Sequence, residues 1–170
     1  MEQSQINLFK WMLNDVRKET LAGVSHLNKD ELFQPLTEGE YPVGAYLMHF
    51  AECEVWWLEV MSQIDQPEEL KIKAFSNKWF DPMETPEPPA KAMELDEYLE
   101  VLNESTKNLH DYLSTMNDSQ LEEEVTVKGS KSDRKFSKKW IIYHLLEHEA
   151  HHRGQMFMLI RKAALNKKKS

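Results

Sequence analysis

Ile6, Phe9, Leu13, Val16, Thr20, Val24 and Leu27 recur at steps of three and four, the spacing that lines one face of an α-helix. This predicts a first long helix with one buried stripe. Asn28-Lys29-Asp30-Glu31 then reads as a cap opening a short helical turn, and Thr37-Glu38-Gly39-Glu40 as a loop. Pro42 suits the first turn of a second long helix, where its missing N–H is not needed. That helix, over about residues 42–63, is apolar nearly all round and is therefore expected at the centre of the fold. A polar residue in its middle needs a reason.

Pro67, Pro82, Pro86, Pro88 and Pro89 break the next stretch, so residues 65–94 are expected to form a long crossover with at most short helical pieces. A connection of that length lets the second and third long helices run in the same direction. Leu95, Tyr98, Leu99, Leu102, Leu109, Tyr112, Leu113 and Met116 give the third helix, and Ser119-Gln120-Leu121-Glu122 offers a capping box for one more turn. Val125-Thr126-Val127 and Arg134-Lys135-Phe136 flank Gly129-Ser130 as a small β-hairpin. A fourth long helix follows over about residues 137–164. The expected fold class is all-α: one domain spanning residues 1–170, a four-helix bundle with a long connection between the second and third helices and a small hairpin before the fourth.

Composition narrows the function classes. With 170 residues, 41% of them hydrophobic, the chain can bury a core without covalent staples. Cys53 is its single cysteine, which excludes an internal disulfide and any all-cysteine zinc site. The absence of an apolar segment after Met1-Glu2-Gln3-Ser4 points to a cytoplasmic location. The apolar stretch from Val43 to Met61 carries His49, Glu52, Glu54 and Glu59 and reads as a buried helix, not a membrane span. A formal net charge of -8 argues against nucleic acid as a partner. The charge is uneven, with -17 over residues 1–127 and +9 over residues 128–170, a division that suits complementarity between neighbouring helices with a solvated Lys167-Lys168-Lys169 tail. Five tryptophans and helices as apolar as the second and fourth imply exposed apolar surface and a homodimer.

The candidate chemistry lies in the histidines: His49 on the second helix and His144, His148, His151 and His152 on the fourth. Imidazole is the commonest protein ligand for transition metals, and two of them one helical turn apart converge on a point. At about 100° per residue, with His144 at zero, His148 falls near 40°, His152 near 80° and His151 near -20°, so spacing alone does not settle the pair. Ile141, Leu145, Met156 and Leu159 define a core-facing direction at about 60–120°, nearest His148 and His152. A lone His49 among Tyr46, Leu47, Met48, Phe50 and Ala51 would ordinarily be a core histidine bonded to a carbonyl. An inward pair on the fourth helix makes it the third donor of an open three-histidine site. Cys53, one turn after His49, either closes that site or is a small buried apolar residue.

Leu47-Met48-His49-Phe50-Ala51-Glu52, followed at a distance by His144-Leu145-Leu146-Glu147-His148-Glu149-Ala150-His151-His152-Arg153-Gly154-Gln155, resembles the DinB/YfiT-like family pattern of one histidine on the second helix and H-x-x-x-H-R-G-Q on the fourth. The order of elements matches along nearly the whole chain. The resemblance implies a bundle in which His49, His148 and His152 hold nickel or zinc with positions left for water or substrate. It also brings in bacillithiol- and mycothiol-dependent enzymes as relatives. The extra histidines His144 and His151 depart from the simplest pattern.

Three neutral imidazoles leave a divalent cation most of its charge and at least one exchangeable position, the composition of a catalytic site. The resemblance points to a metal-dependent transferase acting with a low-molecular-weight thiol. The alternatives are a metal-dependent hydrolase and a non-enzymatic, stress-related protein that binds a metal or small ligand. His148-Glu149-Ala150-His151-His152 also fits H-E-x-x-H, with Glu149 as a metalloprotease base, although only 18 residues follow His152 and the bundle offers no edge strand to align a peptide. Glu52, Glu147 and carbonyls are candidate acceptors for the imidazole N–H groups. Gln155 lies on the histidine face and could orient a ligand, Arg153 points toward a structural ion pair, and Gly154 toward close approach of another backbone.

Overall fold

A computed structural model describes residues 4–75, 79–80 and 87–168. Helix α1, Gln5–Val24, starts where the Ser4 hydroxyl accepts from the Asn7 N–H. Asp118, far along the chain, accepts from Ser4 Oγ and from the Gln5 and Ile6 N–H groups at 2.8–3.1 Å, so donors that a helix start leaves unpaired are satisfied by another element. The short α2, Lys29–Phe33, carries the expected capping box between Asn28 and Glu31. Helix α3, Val43–Ser62, has Pro42 as its N-cap and ends at Gln63, which takes the left-handed conformation (φ 57°).

Among the described residues the crossover contains one helix, α4, Glu68–Phe75, opening just after Pro67; Pro82 and Pro86 lie outside the described residues. Helix α5, Leu95–Thr115, is followed by a 3-10 turn over Asp118–Glu122. Strands β1, Glu124–Val127, and β2, Arg134–Ser137, pair antiparallel with Val125 opposite Phe136, as the flanks of Gly129-Ser130 predict. Helix α6, Lys138–Lys167, closes the bundle, its first turn capped by the Ser137 hydroxyl. Among the described residues no helix is long and apolar enough to cross a membrane.

Contacts between helices give their directions. A Cβ at Gly44 would meet Tyr98, Glu54 meets Ser105, and Tyr112 donates to the Met61 carbonyl; numbers rise together, so α3 and α5 run parallel, as a long crossover permits. Arg17 meets Glu149 and Gly23 faces Phe157, so α1 and α6 are also parallel. His152 lies beside Tyr46, whereas Trp140 lies beside Trp57, which makes α3 and α6 antiparallel. The α3–α6 seam therefore presents its side chains in opposed order.

Two apolar halves make the core. One gathers Val24, Phe50, Leu102 and Met156, and the other Leu13, Leu58, Leu109 and Ile141. Between them each long helix contributes a buried polar residue: Arg17 from α1, Glu54 from α3, Ser105 from α5 and Glu149 from α6, with exposures of 8%, 6%, 1% and 6%. Charges this buried survive only when paired and hydrogen-bonded. Arg17 Nε and Nη2 reach Glu149 at 2.9 Å, Nη2 reaches Glu54 Oε1 at 3.1 Å, and Nη1 donates to Thr106 Oγ1 at 2.8 Å. Ser105 and Thr106 hydroxyls donate to the Glu54 carboxylate at 2.5 Å and 3.0 Å. Every long helix is tied into this one layer.

The basic end of the chain meets acidic groups elsewhere: Lys138 with Glu123, Lys139 with Glu122, and Lys167 with Glu31. Most of these pairs are exposed and contribute little individually. Two expectations on α6 are corrected. Gly154 faces open space, with nothing among the described residues within 4 Å of an added Cβ, because it lies on the exposed side of the helix. Arg153 donates to the Val16 carbonyl at 3.2 Å, a bond to helix backbone in place of the expected ion pair.

Two substitutions test this architecture. Arg17→Ala leaves two buried carboxylates without their cation and is expected to cost about 3–5 kcal/mol in urea unfolding. Gly154→Ala, adding only helix propensity at an open position, is expected to raise stability by about 1 kcal/mol in the same measurement.

Candidate metal centre

His49 and Cys53 stand one turn apart on α3, and His148 and His152 one turn apart on α6. Because these helices are antiparallel neighbours, the two pairs face each other across the seam. His49 Nε2 and His148 Nε2 are 3.0 Å apart. Cys53 Sγ lies 3.8 Å from the former and 3.7 Å from the latter. The donor atoms of His49, Cys53 and His148 all fall within 4.8 Å of one another, a cluster that could hold a metal ion. The His152 ring centroid is 4.5 Å from that of His148 and 5.3 Å from that of His49, so its imidazole borders the same cluster.

Two of these imidazoles have an acceptor at Nδ1. Glu52 Oε2 lies 3.1 Å from His49 Nδ1, and Gln155 Oε1 lies 2.6 Å from His152 Nδ1. Both partners draw the proton to Nδ1 and leave Nε2 as a lone pair. With His49 Nε2 a lone pair, the 3.0 Å approach of His148 Nε2 calls for either a shared proton or a shared cation. Donor chemistry and spacing thus fit a divalent ion bound by imidazole.

Burial favours the neutral form of His148 and His152. His148 is pushed down to about 3, first by desolvation and then by the neighbouring His49 and His152. His152 is lowered by the same burial, with Gln155 partly opposing it. The Cys53 thiol is pushed well above its ordinary range by burial and by the nearby carboxylates of Glu52 and Glu54. Without a cation it is a neutral thiol.

The ordered aromatic surroundings define the outer side. Phe80 stacks on His49, with centroids 4.4 Å apart and planes at 21°, and meets the edge of His152 at 5.2 Å. Tyr41 and Tyr46 pack on Phe80 at 4.4 Å and 4.7 Å. A cavity of about 420 Å³ lined by Phe33, Pro35, Tyr41, Pro42 and Trp79 shares Tyr41 with this wall. The cluster stays reachable from solvent, since the His49 and Glu52 side chains are 17% and 34% exposed.

The two other helix α6 histidines fall outside the cluster. His144 stacks on Trp140 at 4.9 Å and packs against Trp57, with its ring centroid 5.7 Å from that of His148. His151 is exposed and receives the Gln155 amide at 3.3 Å, while the oxygen of that amide serves His152. Of the two candidate carboxylates, Glu52 meets an imidazole and Glu147 is exposed. Glu149 has both carboxylate oxygens engaged by Arg17 on the core side, so the H-E-x-x-H reading finds no free general base there.

Arg17, Glu54 and Ser105, which sit just behind this cluster, escape a search for histidines. A signal was present: Arg17 continues the stripe of Leu13, Thr20 and Val24, and Ser105 that of Tyr98, Leu102 and Leu109, so each is a polar residue at a buried phase. Phe80 carried no signal, because it lies within the proline-rich crossover and reaches the site only through tertiary packing.

No curated protein matches this sequence. A conserved protein from Enterococcus faecalis of known structure superposes with a TM-score of 0.73 at 12% identity, over 97% of this chain and 99% of that one. A DinB-like protein from Bacillus cereus superposes with a TM-score of 0.62 at 17% identity, over 96% and 95%. At such identities the likeness speaks for the fold alone. The sequence itself matches the family model described as DinB family over residues 1–167, and the chain belongs to that family.

Proposed function

We propose that His49, His148 and His152 bind one divalent metal ion, zinc or nickel, and that the ion serves a transferase reaction of a low-molecular-weight thiol. The observation that carries the metal reading is the convergence of imidazoles from two antiparallel helices, with Nε2 atoms 3.0 Å apart and a third ring 4.5 Å from His148. Neutral nitrogen donors suit zinc and nickel and disfavour magnesium and calcium, which take oxygen. An ion held there would supply Lewis acidity and lower the pKa of a bound water or thiol.

The surrounding residues support a small substrate. Glu52 and Gln155 fix the imidazole tautomers, so donors are aimed before anything binds. Phe80, Tyr41 and Tyr46 form an apolar wall beside the cluster that limits access of water. The adjoining cavity of about 420 Å³ is of the size that small-molecule sites use. The thiol as co-substrate comes from the family resemblance; the hydrolase alternative would use the same ion with water as the nucleophile and needs a base other than Glu149.

Purified protein is expected to contain one equivalent of zinc or nickel by elemental analysis. His49→Ala, His148→Ala and His152→Ala should each abolish stoichiometric metal while leaving the helical circular dichroism largely intact, because the apolar stripes hold the bundle. Metal content that survives all three single substitutions would overturn the reading. Incubating the metal-loaded protein with an electrophile and a bacillithiol-like thiol, then assaying for conjugate, separates the transferase from the hydrolase.

The metal-free protein should also lose stability in acid through His148. Its folded imidazole stays neutral down to about 3, below the ordinary 6.5 of the unfolded chain. As pH falls below about 6.5 the unfolded state therefore takes up the proton first, and the stability present above that value is progressively lost toward about 3. The thermal midpoint of metal-free protein should fall across this window, and less steeply in His148→Asn; equal slopes would contradict it.

A further inference from the structure

The sulfur of Cys53 sits on the core side of the cluster, where the three-histidine reading assigns nothing. Its distances to His49 Nε2 and His148 Nε2 are 3.8 Å and 3.7 Å, and the two nitrogens are 3.0 Å apart. The point equidistant from the three atoms lies about 2 Å from each, against metal–nitrogen bonds of about 2.0–2.1 Å and metal–sulfur bonds of about 2.3 Å. An ion bonded to both imidazoles and placed slightly out of that plane reaches the sulfur with a few tenths of an ångström of adjustment.

The core side also lacks room for another donor. The cavity bounded by Leu13, Arg17, Phe50, Cys53, Glu54, Leu145, His148 and Glu149 has a volume of about 10 Å³, no more than a single water needs. Glu54 and Glu149 carboxylates there are held by Arg17. Cys53 is fixed on the same helix as His49, one turn on, so its sulfur is delivered by the backbone that delivers the imidazole.

We propose that Cys53 is a fourth protein ligand of the ion, bound as a thiolate from the core side; this rests on the metal reading above and deepens it. On coordination the S–H bond breaks, the sulfur pair forms the bond to the metal, and one proton is released to solvent. The thiolate removes one unit of the ion's positive charge and favours a borderline-soft ion such as zinc over harder ones. With four protein donors in place, an outside thiol or water would bind by expansion of the coordination shell.

The test is cobalt(II) added to the metal-free full-length chain, read by absorption spectroscopy. One bound cobalt should produce an intense near-ultraviolet thiolate-to-cobalt charge-transfer band, and Cys53 is the chain's one cysteine, so the band has a single source. Cys53→Ser and Cys53→Ala should lose the band and keep one cobalt through the histidines, with zinc binding weakened by at least about tenfold, the lower end of what even an outer partner contributes. One cobalt bound by the wild type without the band overturns the Cys53 assignment and leaves the three-histidine reading intact. No cobalt bound at all overturns both.

Discussion

The guanidinium of Arg17, held between the carboxylates of Glu54 and Glu149, is the constraint on which the bundle depends. One cation from α1 meets anions from α3 and α6, and hydroxyls from α5 complete their hydrogen bonds. Burial alone would lower the pKa of Arg17, but the two carboxylates more than offset it and keep the charge in place. Burial pushes Glu54 upward, and Arg17 and Ser105 act against that. Apolar residues of similar volume could fill such a layer at no loss of stability. What an ionic layer adds is register, since a helix that slips by one turn leaves a charge without its partner.

Register matters because the candidate donors are the sequence neighbours of the charged groups. Cys53 precedes Glu54 and His148 precedes Glu149. One residue advances a helix by about 100°, so fixing Glu54 and Glu149 toward Arg17 turns Cys53 and His148 toward the α3–α6 seam. There they meet at sub-4 Å distances. The bundle thus turns Glu54 and Glu149 to Arg17 on one side and Cys53 and His148 to the seam on the other. The imidazole N–H groups of His49 and His152 are taken from outside by Glu52 and Gln155.

The aromatic residues give this seam its asymmetry. Phe80 stacked on His49 and Tyr41 against Phe80 wall off the outer face with polarizable, apolar surface, while the adjoining cavity continues past Tyr41 toward Trp79. At the other end of the same seam Trp57, Trp140 and His144 pack against one another. The solvent-facing edge of the cluster is on the Glu52 side, where that side chain is 34% exposed.

Periodicity alone was enough to place the four long helices, the short capped α2 and the hairpin, because an apolar stripe at steps of three and four, a cap and a glycine turn are local properties read within a few residues. The same logic pointed His148 and His152 inward, since their phase lies nearest the Ile141, Leu145, Met156 and Leu159 stripe. Local pattern could not say which polar residue at a buried phase meets which: Arg17 finds Glu149 across a separation of 132 residues, and no spacing rule spans that distance. Nor could it show that Gly154 faces solvent, that Glu149 is committed to Arg17, or that Cys53 stands beside two imidazoles. Those outcomes depend on helix order and rotation about each axis, which are set when buried charges select their partners and only one arrangement satisfies all of them.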